Sequence, residues 1–314
     1  MSDRVLVAGC GAIGSVFACL LGRAGHDVSV LVRPAQAAKI RDCGISITGI
    51  WGEHHTTKVR ALSRAEELDR AYDCVLVTCK SYQTAALLEE IGDRAGAEGV
   101  AVSLQNGLGN VERLEKVYGT DRVLAGRVIF GAELSAAGSV RVTVEAEPVL
   151  IGRYAGGGDA RARLWAASFD RAGIACQASD SIRSALWAKI FYNAALNPLG
   201  ALLALSYREL AADAERRRVM SRIIEEAFRV ALAEGVELAW SHVNDYLEVF
   251  YGRLVPATAD HRSSMLQDIE RRRQTEIDAI CGEVCRRGDG HGIDTPLNRL
   301  LMILVAARSA VGHF

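Results

Sequence analysis

The sequence predicts an α/β chain in two parts, an N-terminal domain on a buried parallel sheet followed by an all-helical C-terminal domain. Three observations carry this. Short apolar runs rich in β-branched residues, at 4–8, 27–32, 72–79 and 99–104, alternate with helical patterns through the first half. The first run leads into a glycine-rich turn that opens directly onto a helical pattern. From residue 179 onward the pattern is almost wholly helical. A chain of 314 residues also exceeds one ordinary core, so two domains are expected, at 1–180 and 181–314.

Residues 4–8 read as the first strand, and Gly9-Cys10-Gly11-Ala12-Ile13-Gly14 follows it. Residues 15–21 are apolar on a helical period. A strand, G-x-G-x-x-G and a helix in that order form the dinucleotide-binding fingerprint. Gly9 permits the tight turn, Gly11 lets backbone approach a pyrophosphate, and Gly14 lets the helix pack closely on the strand. The pyrophosphate would rest on the amides and positive dipole end of the helix that begins near Ile13.

Residues 27–32 form the second strand, with Arg33 at its end, where an NAD-type fingerprint carries an acidic residue for the ribose 2′-hydroxyl. No Asp or Glu stands between Val28 and Arg41, and a guanidinium there suits a 2′-phosphate, so NADPH is the expected cofactor. Residues 45–62 read as short strands and loops, and 65–68 as a short helical connection. The buried strand 72–79 then delivers Lys80, and the strand 99–104 delivers Gln105-Asn106-Gly107. Ligands of open parallel sheets lie beyond the carboxyl ends of the strands, so Lys80 and Asn106 are aimed at the cofactor crevice. Glycine-punctuated β-rich segments at 123–153 suit antiparallel or mixed strands closing the domain. A helix at 160–172 and a short strand near 174–177 complete it.

In the second half, the apolar helix 184–205 is interrupted by Lys189, Asn193 and Asn197. At i, i+4 and i+8 these stack along one side, drifting by about 40° per step. Burying them costs free energy unless they are paired or line a cleft, which marks a site. Pro198 disfavours helical geometry at Asn197, so the helix is expected to end or kink there. Residues 214–233 form an amphipathic helix stopped by Gly235, and 241–252 a further one. Ser264-x-x-Gln267 and Thr275-x-x-Asp278 read as capping signals for two more helices, with Glu276 in the first turn of the second. Thr295-Pro296 starts the last helix.

The charge balance, 37 basic against 38 acidic residues, provides no general attraction to nucleic acid or an anionic membrane. A strand begins by residue 4, without a secretory pattern, and no apolar run reaches membrane-spanning length, so a cytoplasmic protein is expected. Of eight scattered cysteines only Cys281 and Cys285 sit one helical turn apart, with no histidine at metal-ligand spacing and no second pair, so all read as reduced, mostly buried thiols and no metal site is expected. The long helices of the second half suit pairing into a homodimer as well as they suit an internal core.

Gly9–Gly14, Cys79-Lys80-Ser81-Tyr82-Gln83, Leu104-Gln105-Asn106-Gly107, the K-x-x-x-N-x-x-x-N-P run from Lys189 to Pro198, and 263–268 with 275–278 together resemble the ketopantoate reductase family. The likeness runs from Val5 to about Leu300. It implies an N-terminal Rossmann-type dinucleotide-binding domain followed by an all-helical C-terminal domain, with the active site in the cleft between them. It also implies NADPH as hydride donor to the ketone of a small branched 2-oxo acid. Carried over by motif, Lys189 matches the general acid and Glu276 the acidic residue that hydrogen-bonds the reacting oxygen and the cofactor ribose. Asn193, Asn197 and Ser264 match substrate-binding groups, and Asn106 the residue beside nicotinamide and substrate. Arg33 and Gln83 match positions near the 2′-phosphate, and Lys80 the lysine at the cofactor crevice. The stretch 139–147 and Arg271-Arg272-Arg273-Gln274 depart from the pattern of many members. A paralogue reducing another 2-oxo acid, an opine- or hydroxyacid-type dehydrogenase, and a non-catalytic NADPH sensor are the alternatives.

Overall fold

In the computed structural model, which describes residues 2–311, strands and helices alternate as far as residue 178 and helices follow. The first part contains β1 (Arg4–Ala8), α1 (Ala12–Arg23), β2 (Asp27–Leu31), α2 (Pro34–Cys43), β3 (Ile45–Gly49), β4 (His54–Thr56) and β5 (Val59–Leu62). Then come β6 (Tyr72–Val77), α3 (Thr84–Ile91), β7 (Ala95–Ser103), α4 (Asn110–Tyr118), β8 (Val123–Arg127), β9 (Phe130–Ala136), β10 (Ser139–Glu145), β11 (Val149–Gly152), α5 (Ala160–Arg171) and β12 (Cys176–Ala178). Eight strands form one sheet in the order β12-β11-β8-β7-β6-β1-β2-β5, parallel except where β11 runs against β8. The β-rich segment expected to close the domain is split: β8 and β11 join this sheet, whereas β9 and β10 join β3 and β4 in a second, four-stranded one.

The central strand β1 explains the architecture. Val5, Leu6, Val7 and Ala8 are fully buried, each large side chain contributing roughly 1.5–3 kcal/mol of transfer free energy. Helix α1 covers it with Val16, Phe17, Leu20 and Leu21, and Phe17 meets Phe169 of α5 edge-on at 5.3 Å. The chain runs from β1 through α1 to β2 on one side and, after β5, returns to β6 on the other side of β1, so the strand order reverses at β1, beside the glycine turn.

The helical part contains α6 (Ile182–Leu203), α7 (Tyr207–Ala212), α8 (Ala214–Ala233), α9 (Val243–Val249), α10 (Val255–Ala257), α11 (Ser264–Glu270), α12 (Glu283–Gly290) and α13 (Pro296–Val311). π-helical turns stand at Phe250–Leu254 and Asp278–Gly282. By contacts, one unit comprises the chain through Gln105 with Asn110–Ile182, and the other Asn106–Gly109 with the chain from Arg183 onward. The short Asn106–Gly109 loop thus groups with the helices rather than with the strand that delivers it.

Three local expectations are corrected. Helix α6 does not end at Asn197, the first of the two outcomes expected there, but runs through Pro198 to Leu203. A proline costs a helix interior roughly 3 kcal/mol, and here the flanking Ala194, Ala195, Leu196 and Ala201 are fully buried, so tertiary packing holds both sides of the interruption. The cap of α11 is Ser263, whose hydroxyl accepts from Leu266 N–H at 3.1 Å; Ser264 is the first helical residue. Thr275 and Asp278 form no capping box, because Asp278 lies inside the π-turn and is held by Arg286 instead.

Candidate functional site

In the sheet-bearing unit, the predicted nucleotide turn has the geometry its three glycines imply. Gly9 has φ 89°, and a Cβ there would lie 2.6 Å from Cys79 Cβ. At Gly14 a Cβ would fall 2.4 Å from Thr78 Oγ1, so α1 lies against the end of β6 at a distance only glycine permits. Around Gly11 nothing lies within 4 Å of a Cβ position, so the space there is left for an outside group. Gly11 is the N-cap of α1, and no acidic residue stands in the first turn. The first-turn amides of Ala12 and Ile13 have no helical acceptor and leave a positive, anion-ready end. The arrangement fits a dinucleotide pyrophosphate.

The turn is braced by groups the sequence reading did not single out. Thr78 Oγ1 donates to Gly9 O at 2.6 Å, and Gln36 Nε2 donates to Cys10 O at 2.6 Å. Gln105 Nε2 donates to Cys79 O at 3.0 Å and to Thr84 Oγ1 at 2.6 Å, while Thr84 donates to Asn110 Oδ1 at 3.2 Å. This buried network ties the ends of β6 and β7 to the starts of α3 and α4. The signal for Gln105 was a polar residue directly after a buried strand. Cys10 is buried and bonded to Ser15 Oγ at 3.3 Å; burial pushes its thiol up to about 12, which removes it from thiolate chemistry.

Arg33 caps the start of α2, immediately before Pro34, with its side chain exposed and bonded to no described residue. Lys80 precedes and Gln83 ends the short 3₁₀ turn Ser81–Gln83 after β6, and both are half-buried.

In the helical unit, Lys189 Nζ donates to Asn106 Oδ1 at 2.6 Å, and Asn106 Nδ2 donates to Glu276 Oε2 at 3.5 Å. Asn106 therefore bridges an ammonium and a carboxylate, its amide polarised from both ends. Asn193 and Asn197, on the same side of α6 as Lys189, are 6% and 5% exposed. The side chain of Asn193 bonds to no described residue, which leaves four hydrogen-bonding sites to an outside group. Asn197 is oriented from both sides. Tyr207 donates to its Oδ1 at 2.7 Å, and Ser263 Oγ donates to its backbone carbonyl at 3.2 Å. The Asn197 Nδ2 group faces away from that anchored oxygen as a donor. The Ser264 hydroxyl is half-buried and bonds to no described residue. Among the described residues no group of three or more His, Cys, Asp or Glu is arranged to hold a metal ion, and no helix is long and apolar enough to cross a membrane.

Comparison with known proteins agrees in both parts. The family model described as Ketopantoate reductase PanE/ApbA matches residues 5–156, and its C-terminal counterpart matches residues 181–309. A relative from Aquifex aeolicus named 2-dehydropantoate 2-reductase is 35% identical over 98% of this chain and 97% of its own length. The solved PanE/ApbA family ketopantoate reductase from Ralstonia eutropha is 30% identical, with a TM-score of 0.88 covering 99% of this chain and 100% of that one. A D-mandelate dehydrogenase solved with NADH and anilino(oxo)acetate is 25% identical, with a TM-score of 0.90 over 99% of this chain and 100% of its own.

Proposed function

This chain belongs to the ketopantoate reductase PanE/ApbA family, and from that premise we propose that it reduces 2-dehydropantoate to pantoate with NADPH. The observation that carries the reading is the line from Lys189 through Asn106 to Glu276, an ammonium and a carboxylate bridged by one amide on a helix bearing two further buried asparagines. We assign the domain roles as the sequence suggests, nucleotide binding to 1–180 and substrate chemistry to 181–314, with the Asn106–Gly109 loop serving the helical part.

When bound, the nicotinamide supplies a hydride to the C2 ketone carbon of the 2-oxo acid. Gly9 to Gly14, with Cys10, Ala12 and Ile13 contributing backbone, would hold the pyrophosphate, and Arg33, Gln83 and Lys80 the phosphate-bearing ribose and its surroundings. Negative charge grows on the ketone oxygen as the carbon is reduced. The Lys189 ammonium stabilises that charge and delivers the proton, which makes it the general acid. Glu276 and Asn106 orient Lys189 and hydrogen-bond the reacting groups. Asn193, the free end of Asn197 and Ser264 offer neutral donors to the substrate carboxylate. With 37 basic and 38 acidic residues, the reading includes no nucleic-acid partner, and a cytoplasmic setting. It admits a homodimer, since α13 leaves Leu300, Ile303 and Leu304 exposed.

A second reading keeps the chemistry and changes the acid. The D-mandelate dehydrogenase neighbour, at a TM-score of 0.90, favours it. NADPH oxidation by the purified chain, followed with 2-dehydropantoate, pyruvate, 2-oxoisovalerate and 2-oxoisocaproate and repeated with NADH, separates the two. We expect fast turnover of 2-dehydropantoate alone, with NADPH preferred. Turnover of another acid alone selects the second reading, and no turnover with tight NADPH binding selects a sensor. Lys189→Ala should lose about 10²–10⁴-fold in kcat while still binding NADPH; normal turnover would remove the acid role.

A further inference from the structure

The proposed roles of Lys189, Asn106 and Glu276, on which this inference rests, require Asn106 to be held in line between the other two. Asn106 lies in the loop Asn106–Gly109, not in a helix or strand. Its amide must meet an ammonium on α6 and a carboxylate just before the π-turn at once. A side-chain amide alone does not fix a loop, so the backbone beside it must be anchored.

We propose that Gly107 and the π-turn Asp278–Gly282 are the positioning device for Asn106, seating its loop directly on the segment that carries Glu276. Gly107 has φ 89°, and a Cβ there would lie 2.5 Å from both Ala279 O and Ala279 Cβ. Leu108 N donates to Ala279 O at 2.8 Å. In an α-helix Ala279 O would accept from Glu283 N–H, but that N–H bonds to Ile280 O here. Ala279 N in turn donates to Glu276 O at 3.1 Å, so the seat of the loop and the Glu276 backbone are one hydrogen bond apart. Arg286 holds the turn in shape. It donates to the Asp278 carboxylate at 2.8 and 3.0 Å and to the Asp278 carbonyl at 2.9 Å, with further bonds to Glu283 Oε1 at 3.2 and 2.9 Å.

A Cβ at position 107 must push the loop off Ala279 or force it out of the left-handed region. Either movement displaces Asn106 from Lys189 or Glu276, and a misplacement of about 1 Å costs a reaction as much as about 100-fold. Gly107 and Ala279 are positioning residues, and their effect should pass through Asn106.

The test is a double-variant cycle in the full-length chain with NADPH and 2-dehydropantoate. Gly107→Ala should lower kcat about 10–100-fold with a smaller change in KM. In an Asn106→Ala background the same change should cost less than about twofold, because the group it acts through is gone. Losses that multiply would overturn the proposal. Arg286→Met, at a side chain 48% exposed, is the milder second variant and should lower kcat in the same non-additive way. An independent readout is the Asn106 side-chain amide resonance, identified by its disappearance in Asn106→Ala. It should shift in Gly107→Ala and in Arg286→Met, and a resonance that stays in place overturns the proposal whatever the activity. If the wild-type chain reduces none of the oxo acids, the functional reading fails while the resonance still decides the positioning role.

Discussion

Gly11 and Gly14 are glycines for opposite reasons. Gly14 is surrounded, with Thr78 Oγ1 2.4 Å from a Cβ position, whereas Gly11 faces nothing within 4 Å. The first is an internal packing requirement, and the second leaves room for a ligand backbone to approach. Arg33 is likewise defined by what it lacks, since its exposed guanidinium bonds to no described residue and caps nothing with its side chain. If it reads the 2′-phosphate, Arg33→Ala should raise KM for NADPH about 10–100-fold, the worth of a charge-assisted hydrogen bond, and leave KM for NADH within about twofold. Equal effects on both cofactors, measured by initial rates, would assign the phosphate elsewhere.

At the scale of elements, the ends of the helices carry much of the specificity of the helical part. Glu226, buried on α8, accepts from the backbone N–H groups of Leu297 and Asn298 at 2.9 and 3.0 Å and from Asn298 Nδ2 at 2.8 Å, so one carboxylate caps the first turn of α13. Glu234, at the end of α8, accepts from Arg183 of α6 at 3.1 Å and Arg287 of α12 at 2.8 Å, with His291 at 3.2 Å. Burial pushes its carboxyl up, but the Arg287 charge and hydrogen bond, with His291 and Arg183, outweigh that and hold it below the ordinary value of 4.5. A carboxyl held low in the folded state adds stability that is present above pH 4.5 and is lost as pH falls from there toward the folded value. Glu234→Gln should therefore unfold at a lower temperature than wild type at pH 7. The gap should narrow below pH 4.5, as read by scanning calorimetry. A gap independent of pH would show that the ion-pair network contributes nothing through this charge.

For the molecule as a whole, none of the eight cysteines is in a disulfide; six are buried, Cys79 is half-buried and Cys43 is exposed. Burial pushes Cys10 and Cys176 up to about 12 and Cys19 to about 11, which leaves almost no thiolate near neutral pH. A colorimetric disulfide reagent at pH 8 should label Cys43 quickly and Cys79 slowly, and reach the other six only after unfolding. Reductant should leave the unfolding temperature unchanged. Fast labelling of a third thiol in the native protein would contradict the packing described.

The sequence by itself determined the periodic features: the buried strands, the glycine turn, the parallel sheet followed by helices, and the common side of Lys189, Asn193 and Asn197 on α6. These depend on local spacing and on the two periods of 2 and 3.6 residues, which are written in the chain. Tertiary structure decided the rest. Pro198 predicts an end or a kink, and the burial of the residues around it carried α6 past the expected end. The capping motifs at 264 and 275 matched in composition, yet Ser263 and Arg286 took the competing bonds. The splitting of the β-rich segment over two sheets follows from strand partners distant in sequence. Lys189 meets Asn106 from 83 residues away, and Asn106 meets Glu276 from 170, on a loop seated by a π-turn with no local signature. Local periodicity states which face a residue occupies; only long-range packing states what stands opposite it.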